Sequence, residues 1–151
     1  MPVTPWRSAP SIWRAIRAGT IDENICGVSI HGRWFVSSAV LRDAAALAGI
    51  EGRSLDWISA GELARGADLV LHDAQYLQQE YEAKIGWGHS SVDDAVAFCR
   101  AVDAGRLVLF HHEPDRSDHA LELLQERARE LTGDERAPPL LAREGLSIDL
   151  S

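Results

Sequence analysis

The chain has 151 residues and a formal net charge of −8, with 46% hydrophobic and 25% charged residues. This suits one globular domain with a sizeable core and excludes disordered or collagen-like chains. The acidic balance also excludes a broad electrostatic grip on nucleic acid, while leaving room for a small local phosphate site.

No apolar stretch approaches the ~18–20 residues that cross a bilayer, and the N-terminal segment lacks the apolar core of a secretory signal. A cytoplasmic protein with no membrane partner is expected. Cys26 and Cys99 form neither a CxxC pair nor a disulfide framework and read as buried thiols. Charge is uneven along the chain: residues 1–54 hold six arginines and four acids, whereas residues 55–151 hold nine Lys or Arg and nineteen acids.

In residues 1–54 the pattern is weak; 26–36 can form a strand and 37–49 a helix stopped by Gly49. From residue 55 helices and strands alternate clearly. Residues 59–65 predict a short helix ended by Gly66, and the apolar run 67–73 predicts a strand covered on both faces. LQQEYEAK predicts a helical turn, broken by Gly86-Trp87-Gly88. Val92, Ala95, Val96, Phe98 and Cys99 give a helical stripe over 91–104, with Ser91 and Asp94 as a capping box and Gly105 as the stop. Residues 106–111 predict a second buried strand, 117–131 a helix, and 140–150 a terminal hairpin turning at Glu144-Gly145.

Strand, helix, strand with this long crossover is a βαβ unit, so the two strands should be parallel neighbours. Ligands in such sheets collect beyond the strand carboxyl ends. Those ends carry His72-Asp73 and His111-His112, and the connecting helix starts just after His89. Adjacent strand residues face opposite ways, so His111, at the last strand position, is the metal-ligand candidate and His112 a buttress of the loop with Glu113 and Asp115. The amides of Ser90, Ser91 and Val92 would favour an anion at the helix start, where His89 can donate a proton to a leaving oxygen or simply cap its own helix. Asp73 can orient a neighbouring imidazole or cap the next turn. His72, His31 and His119 read as structural or surface residues, and Glu80, Glu82, Asp93, Asp94 and Asp103 as exposed helical faces.

The segments ARGADLVLHDAQY, EYEAKIGWGHSSVDDAVAFCR, RLVLFHHEPDRSD and LLAREGLSIDL, in that order, resemble the C-terminal half of metallo-β-lactamase-fold hydrolases of the ribonuclease Z and phosphodiesterase-like branch, over about Leu55 to Leu150. The resemblance implies an α/β fold, the C-terminal half of an αβ/βα sandwich with βαβ units, and an N-terminal half that is truncated or replaced. It implies that His111 matches the last metal-binding histidine, His89 the H-S-T histidine acting at the scissile phosphate, and Asp73 the acidic partner of that histidine. Intact relatives bind zinc or manganese and hydrolyse phosphodiester or similar ester bonds of small-molecule or nucleotide substrates with metal-activated water.

The family's H-x-H-x-D-H motif is absent here, as is a G-D-T turn in 47–57. With one matched ligand, the chain lacks the three or more donors of a zinc site and is expected to be inactive alone. The expected organisation is therefore an unassigned segment, 1–54, non-native or remodelled, followed by the half-domain 55–151. The leading function is a fragment or degenerate member of these hydrolases, and the alternative a non-catalytic α/β binding or interaction module. A half-sandwich would leave one sheet face open, so a homodimer or another self-associated form is expected.

Overall fold

The computed structural model describes residues 14–16, 23–25, 28–31, 34–37, 61–84, 87 and 89–149. Four short strands come first: β1 (Arg14–Ile16), β2 (Glu23–Ile25), β3 (Val28–His31) and β4 (Trp34–Ser37). The single strand expected over 26–36 is thus two strands in different sheets. The helix expected over 37–49 lies outside the described residues, apart from Ser37 in β4. Next come α1 (Gly61–Ala64), β5 (Leu69–Asp73), α2 (Gln78–Tyr81) with a 3-10 turn at Glu82–Lys84, and α3 (Val92–Ala101). The chain continues through β6 (Leu107–Phe110), α4 (Asp118–Thr132), β7 (Leu140–Leu141) and β8 (Ser147–Asp149).

The larger sheet has the order β1-β4-β5-β6-β7, and the smaller β2-β3-β8. The expected parallel pair is present, with Val70 opposite Leu107 and Asp73 opposite Phe110. β4 and β7 also run parallel to their neighbours, so four strand carboxyl ends share one edge of the larger sheet. The fold is mixed α/β with a largely parallel sheet, in agreement with the expected metallo-β-lactamase class.

Period-two alternation divides the buried strands between two cores. Val70 and Leu109 face α3 and α4, where they pack with Phe98, Val102, Leu124 and Ala128. Leu69, Leu71, Val108 and Phe110 face the other way and pack with Ile148 of the second sheet. These four positions are buried, so the open sheet face expected for a half-sandwich is not found at the centre of this sheet. Among the described residues no helix is long and apolar enough to cross a membrane.

Two local expectations are corrected. The left-handed residue after α3 is Asp103, at φ 54°, rather than Gly105. Gly105 is needed for space instead: its amide donates to the Ala67 carbonyl at 2.9 Å, and a Cβ would stand 2.9 Å from the Asp68 carbonyl oxygen. The terminal strands do not form a hairpin either. The turn at Arg143–Leu146 exists, closed by a 3.1 Å hydrogen bond with Gly145 at φ 78°. It passes the chain from β7, paired with β6, to β8, paired with β3, which lets Ile148 reach the second core.

Candidate metal centre

β5 ends on Asp73, a carboxylate with no exposed surface. Its Oδ1 accepts the Ser90 amide at 2.8 Å. Its Oδ2 meets His89 Nδ1 at 2.9 Å and His111 Nδ1 at 2.8 Å. An ionised carboxylate only accepts, so in this geometry both imidazoles donate from Nδ1, and Nε2 is the atom each ring has left to offer. The two ring centroids are 4.7 Å apart. The rings are accessible where the carboxylate is not, with His89 28% and His111 50% exposed at the side chain.

Local structure sets each ring. His111 lies one residue beyond β6 at φ 62°, not in the strand as expected. A left-handed residue with a side chain costs about 1 kcal/mol, and the ring it carries is hydrogen-bonded to Asp73. This turn also removes the simple opposite-face argument, yet His112 is indeed separate: its half-buried ring lies against the Ala142 backbone, and burial lowers its pKa. His89 is held by the residues on its C-terminal side. Tyr76 and Ser91 form a parallel bridge, in which the Val92 amide donates to the Tyr76 carbonyl at 2.9 Å.

Ser91 caps α3 by accepting the Asp94 amide at 3.1 Å, and Asp94 returns the bond to the Ser91 amide at 3.3 Å. The capping box is as expected, but it overturns the anion pocket. The amides of Ser90, Ser91 and Val92 are all taken, by Asp73, Asp94 and Tyr76 respectively. Asp94 is also not a surface acid. Burial pushes its pKa up to about 6.

The remaining candidates fall into place around this trio. His72 is fully buried, donates from Nδ1 to the Asp73 carbonyl at 2.7 Å, and packs on Phe98; burial lowers its pKa. His119 is on the surface, near Glu122. Cys99 is buried, with its thiol pushed up to about 12. The side chains of Cys26 and His31, and the glycines flanking Trp87, lie outside the described parts of the chain. Trp87 itself is 64% exposed, with the Lys84 ammonium 4.1 Å from its ring centre.

Sequence reasoning missed Arg116. Its guanidinium forks onto Glu80 at 3.2 and 2.9 Å and also donates to the Gln75 carbonyl at 2.9 Å. Glu80, read as a solvated acid, is therefore paired, and this contact first, together with the Leu77 amide, lowers its pKa. Asp93 is likewise paired, with Arg127 at 2.7 Å.

Asp73, His89 and His111 each offer one donor atom, all within 4.8 Å of one another. Two imidazole nitrogens and a carboxylate are a donor set that suits zinc or manganese. With Oδ2 already accepting both Nδ1–H groups, the donors left free are the two Nε2 atoms, so the trio would hold such an ion through His111 Nε2 and would need further ligands to complete the set.

Residues 53–112, which contain all three groups, match the beta-lactamase superfamily domain. The C-terminal part of the chain thus resembles metallo-β-lactamase-fold hydrolases, as its motifs indicated. Among curated proteins it is similar to Ribonuclease Z of Exiguobacterium sp., 29% identical over 83 residues, which is 54% of this chain and 28% of that protein. It is also similar to Ribonuclease Z of Archaeoglobus fulgidus, 34% identical over 65 residues, or 43% of this chain and 21% of that protein. The match spans between a fifth and a third of these relatives.

Proposed function

We propose that this chain carries the leaving-group side of a metal-dependent phosphodiester hydrolase site. The observation that carries the reading is the pair of Nδ1 atoms on one buried carboxylate oxygen, Oδ2 of Asp73. His111 is the metal ligand, through Nε2; Asp73 and His89 are the catalytic pair. A bound zinc or manganese would supply a water acidic enough to attack at neutral pH.

His89 takes a proton on Nε2 and passes it to the departing oxygen, while Asp73 stabilises the imidazolium through Nδ1. Asp73 also fixes the tautomer of His111, as carboxylates behind metal-bound histidines do. The substrate class is a small or nucleotide ester, since the net charge of −8 offers no broad surface for nucleic acid. In this reading residues 55–151 carry the half-site in a cytoplasmic protein, and 1–54 are a remodelled segment whose β4 extends the sheet beside β5.

The sequence holds no H-x-H pair, which favours a second reading, a degenerate, non-catalytic module on the same scaffold. Hydrolysis of bis(4-nitrophenyl) phosphate with added Zn²⁺ or Mn²⁺ separates the two. Turnover above that of His111→Ala supports catalysis by these residues. Metal binding with turnover equal to that variant supports the non-catalytic module. A wild-type chain that binds neither ion overturns the metal reading.

A further inference from the structure

We propose that Arg116 is a positioning residue, whose guanidinium locks the loop carrying His111 onto the segment carrying Asp73. The metal readout of this proposal rests on the function proposed above; its structural readout does not. The strands that lead to Asp73 and His111 are tied by a ladder that stops just short of His111. β5 and β6 are paired up to Asp73 and Phe110, and the Ala74 amide reaches the Phe110 carbonyl at 3.1 Å. Beyond that, residues 111–117 leave the sheet as a loop that ends at Ser117, the cap of α4.

Arg116 reaches back from that loop to Gln75, two residues past Asp73, and to Glu80 on α2. Glu80 is itself fixed, because its carboxylate accepts the Leu77 amide at 2.8 Å. The loop end is fixed too, by a turn in which the Arg116 amide donates to the Glu113 carbonyl at 3.0 Å. The cross-link therefore joins two rigid points, one on each side of the Asp73–His111 hydrogen bond.

Geometry separates positioning from plain stabilisation. The Arg116 side chain is 8% exposed but its partner Glu80 is 39% exposed, and a solvent-screened ion pair contributes little to stability. The cross-link is carried by Nη1 and Nη2, which reach Glu80 and the Gln75 carbonyl. What a planar fork supplies is direction, since two parallel N–H bonds on one carboxylate fix an angle as well as a distance. A lysine, as a point charge with rotating donors, would not reproduce this.

The test is ¹⁵N NMR of the histidine rings in the full chain, with Arg116→Lys and Glu80→Gln as the variants, read beside Co²⁺ affinity. The wild type should show the Nδ1–H tautomer for both His89 and His111. Both variants should shift His111 toward a tautomer mixture while His89, held from the Ser90 side, keeps its signal. Amide protection in α3 and α4 should be unchanged, and Co²⁺ affinity should fall about tenfold or more, in the range seen when groups behind metal ligands are removed.

An unchanged His111 signal in Glu80→Gln overturns the proposal, as does a parallel loss at His89 and across α4, which would mark a merely structural contact. Should Arg116→Lys fail to fold, Glu80→Gln still decides. A wild type that binds no Co²⁺ defeats the proposed function, while the tautomer readout continues to judge Arg116.

Discussion

His89 and His111 stand with ring centroids 4.7 Å apart, inclined at 41°, although 21 residues of chain separate them. Neither ring sets this spacing. It arises from Asp73, whose single oxygen Oδ2 takes both Nδ1–H groups and so turns both Nε2 atoms away from the carboxylate.

Asp73→Asn should therefore disturb both rings at once. An amide presents one acceptor oxygen and a donor NH₂ group, so it cannot accept from Ser90 and both imidazoles as the carboxylate does. Metal affinity should drop by about 10–100-fold. Asp73→Ala should in addition destabilise the fold by about 1–3 kcal/mol, because the buried Ser90 amide loses its acceptor. Co²⁺ titration and urea unfolding check the two effects; unchanged affinity in Asp73→Asn would remove the carboxylate from the site.

Asp94 predicts a pH dependence. Burial raises its pKa to about 6 from an ordinary 3.8, so the folded state holds this proton more tightly than the unfolded chain does. Its contribution to stability is fully present below about pH 4 and declines as pH rises to about 6. Asn at this position keeps an acceptor for the Ser91 amide but cannot ionise. Relative to wild type, Asp94→Asn should gain on the order of 2 kcal/mol between pH 4 and pH 7. His72, buried neutral, gives the opposite slope, losing stability as pH falls below its ordinary 6.5. It is common to both proteins, so the difference between their urea curves isolates Asp94, and a difference independent of pH would refute this account of it.

Two glycines should respond differently to alanine. Gly105→Ala forces a Cβ to within 2.9 Å of a backbone carbonyl and should cost about 1–3 kcal/mol, because the backbone must shift. Gly133 closes α4 at φ 63° with open space around it, so Gly133→Ala should cost only about 1 kcal/mol from the left-handed backbone. Thermal unfolding ranks them, and a larger loss at Gly133 would reverse the argument.

Much of this architecture is legible in the sequence wherever a local pattern decides it. The apolar runs of β5 and β6, the stripe of α3 and the caps at Ser91 and Ser117 are all signals within a few residues, and the strand-end rule then brings Asp73, His89 and His111 together. The illegible parts depend on distant partners. Leu140–Leu141 and Ser147–Asp149 look like a hairpin, yet each finds its neighbour more than thirty residues away. Glu80 reads alone as a solvated charge, because its partner Arg116 lies 36 residues away. The left-handed turns at Asp103 and His111 carry no glycine to announce them. The amides at the start of α3 look free in sequence because the chain's own acceptors, Asp73, Asp94 and Tyr76, are assigned to them only by the fold.

Zinc titration by calorimetry of the wild type, His111→Ala and His119→Ala tests the central claim most directly. His119 lies on the surface of α4, outside the trio. One ion should bind the wild type and His119→Ala alike, and binding should be lost in His111→Ala. Retained binding by His111→Ala at wild-type affinity would contradict the account.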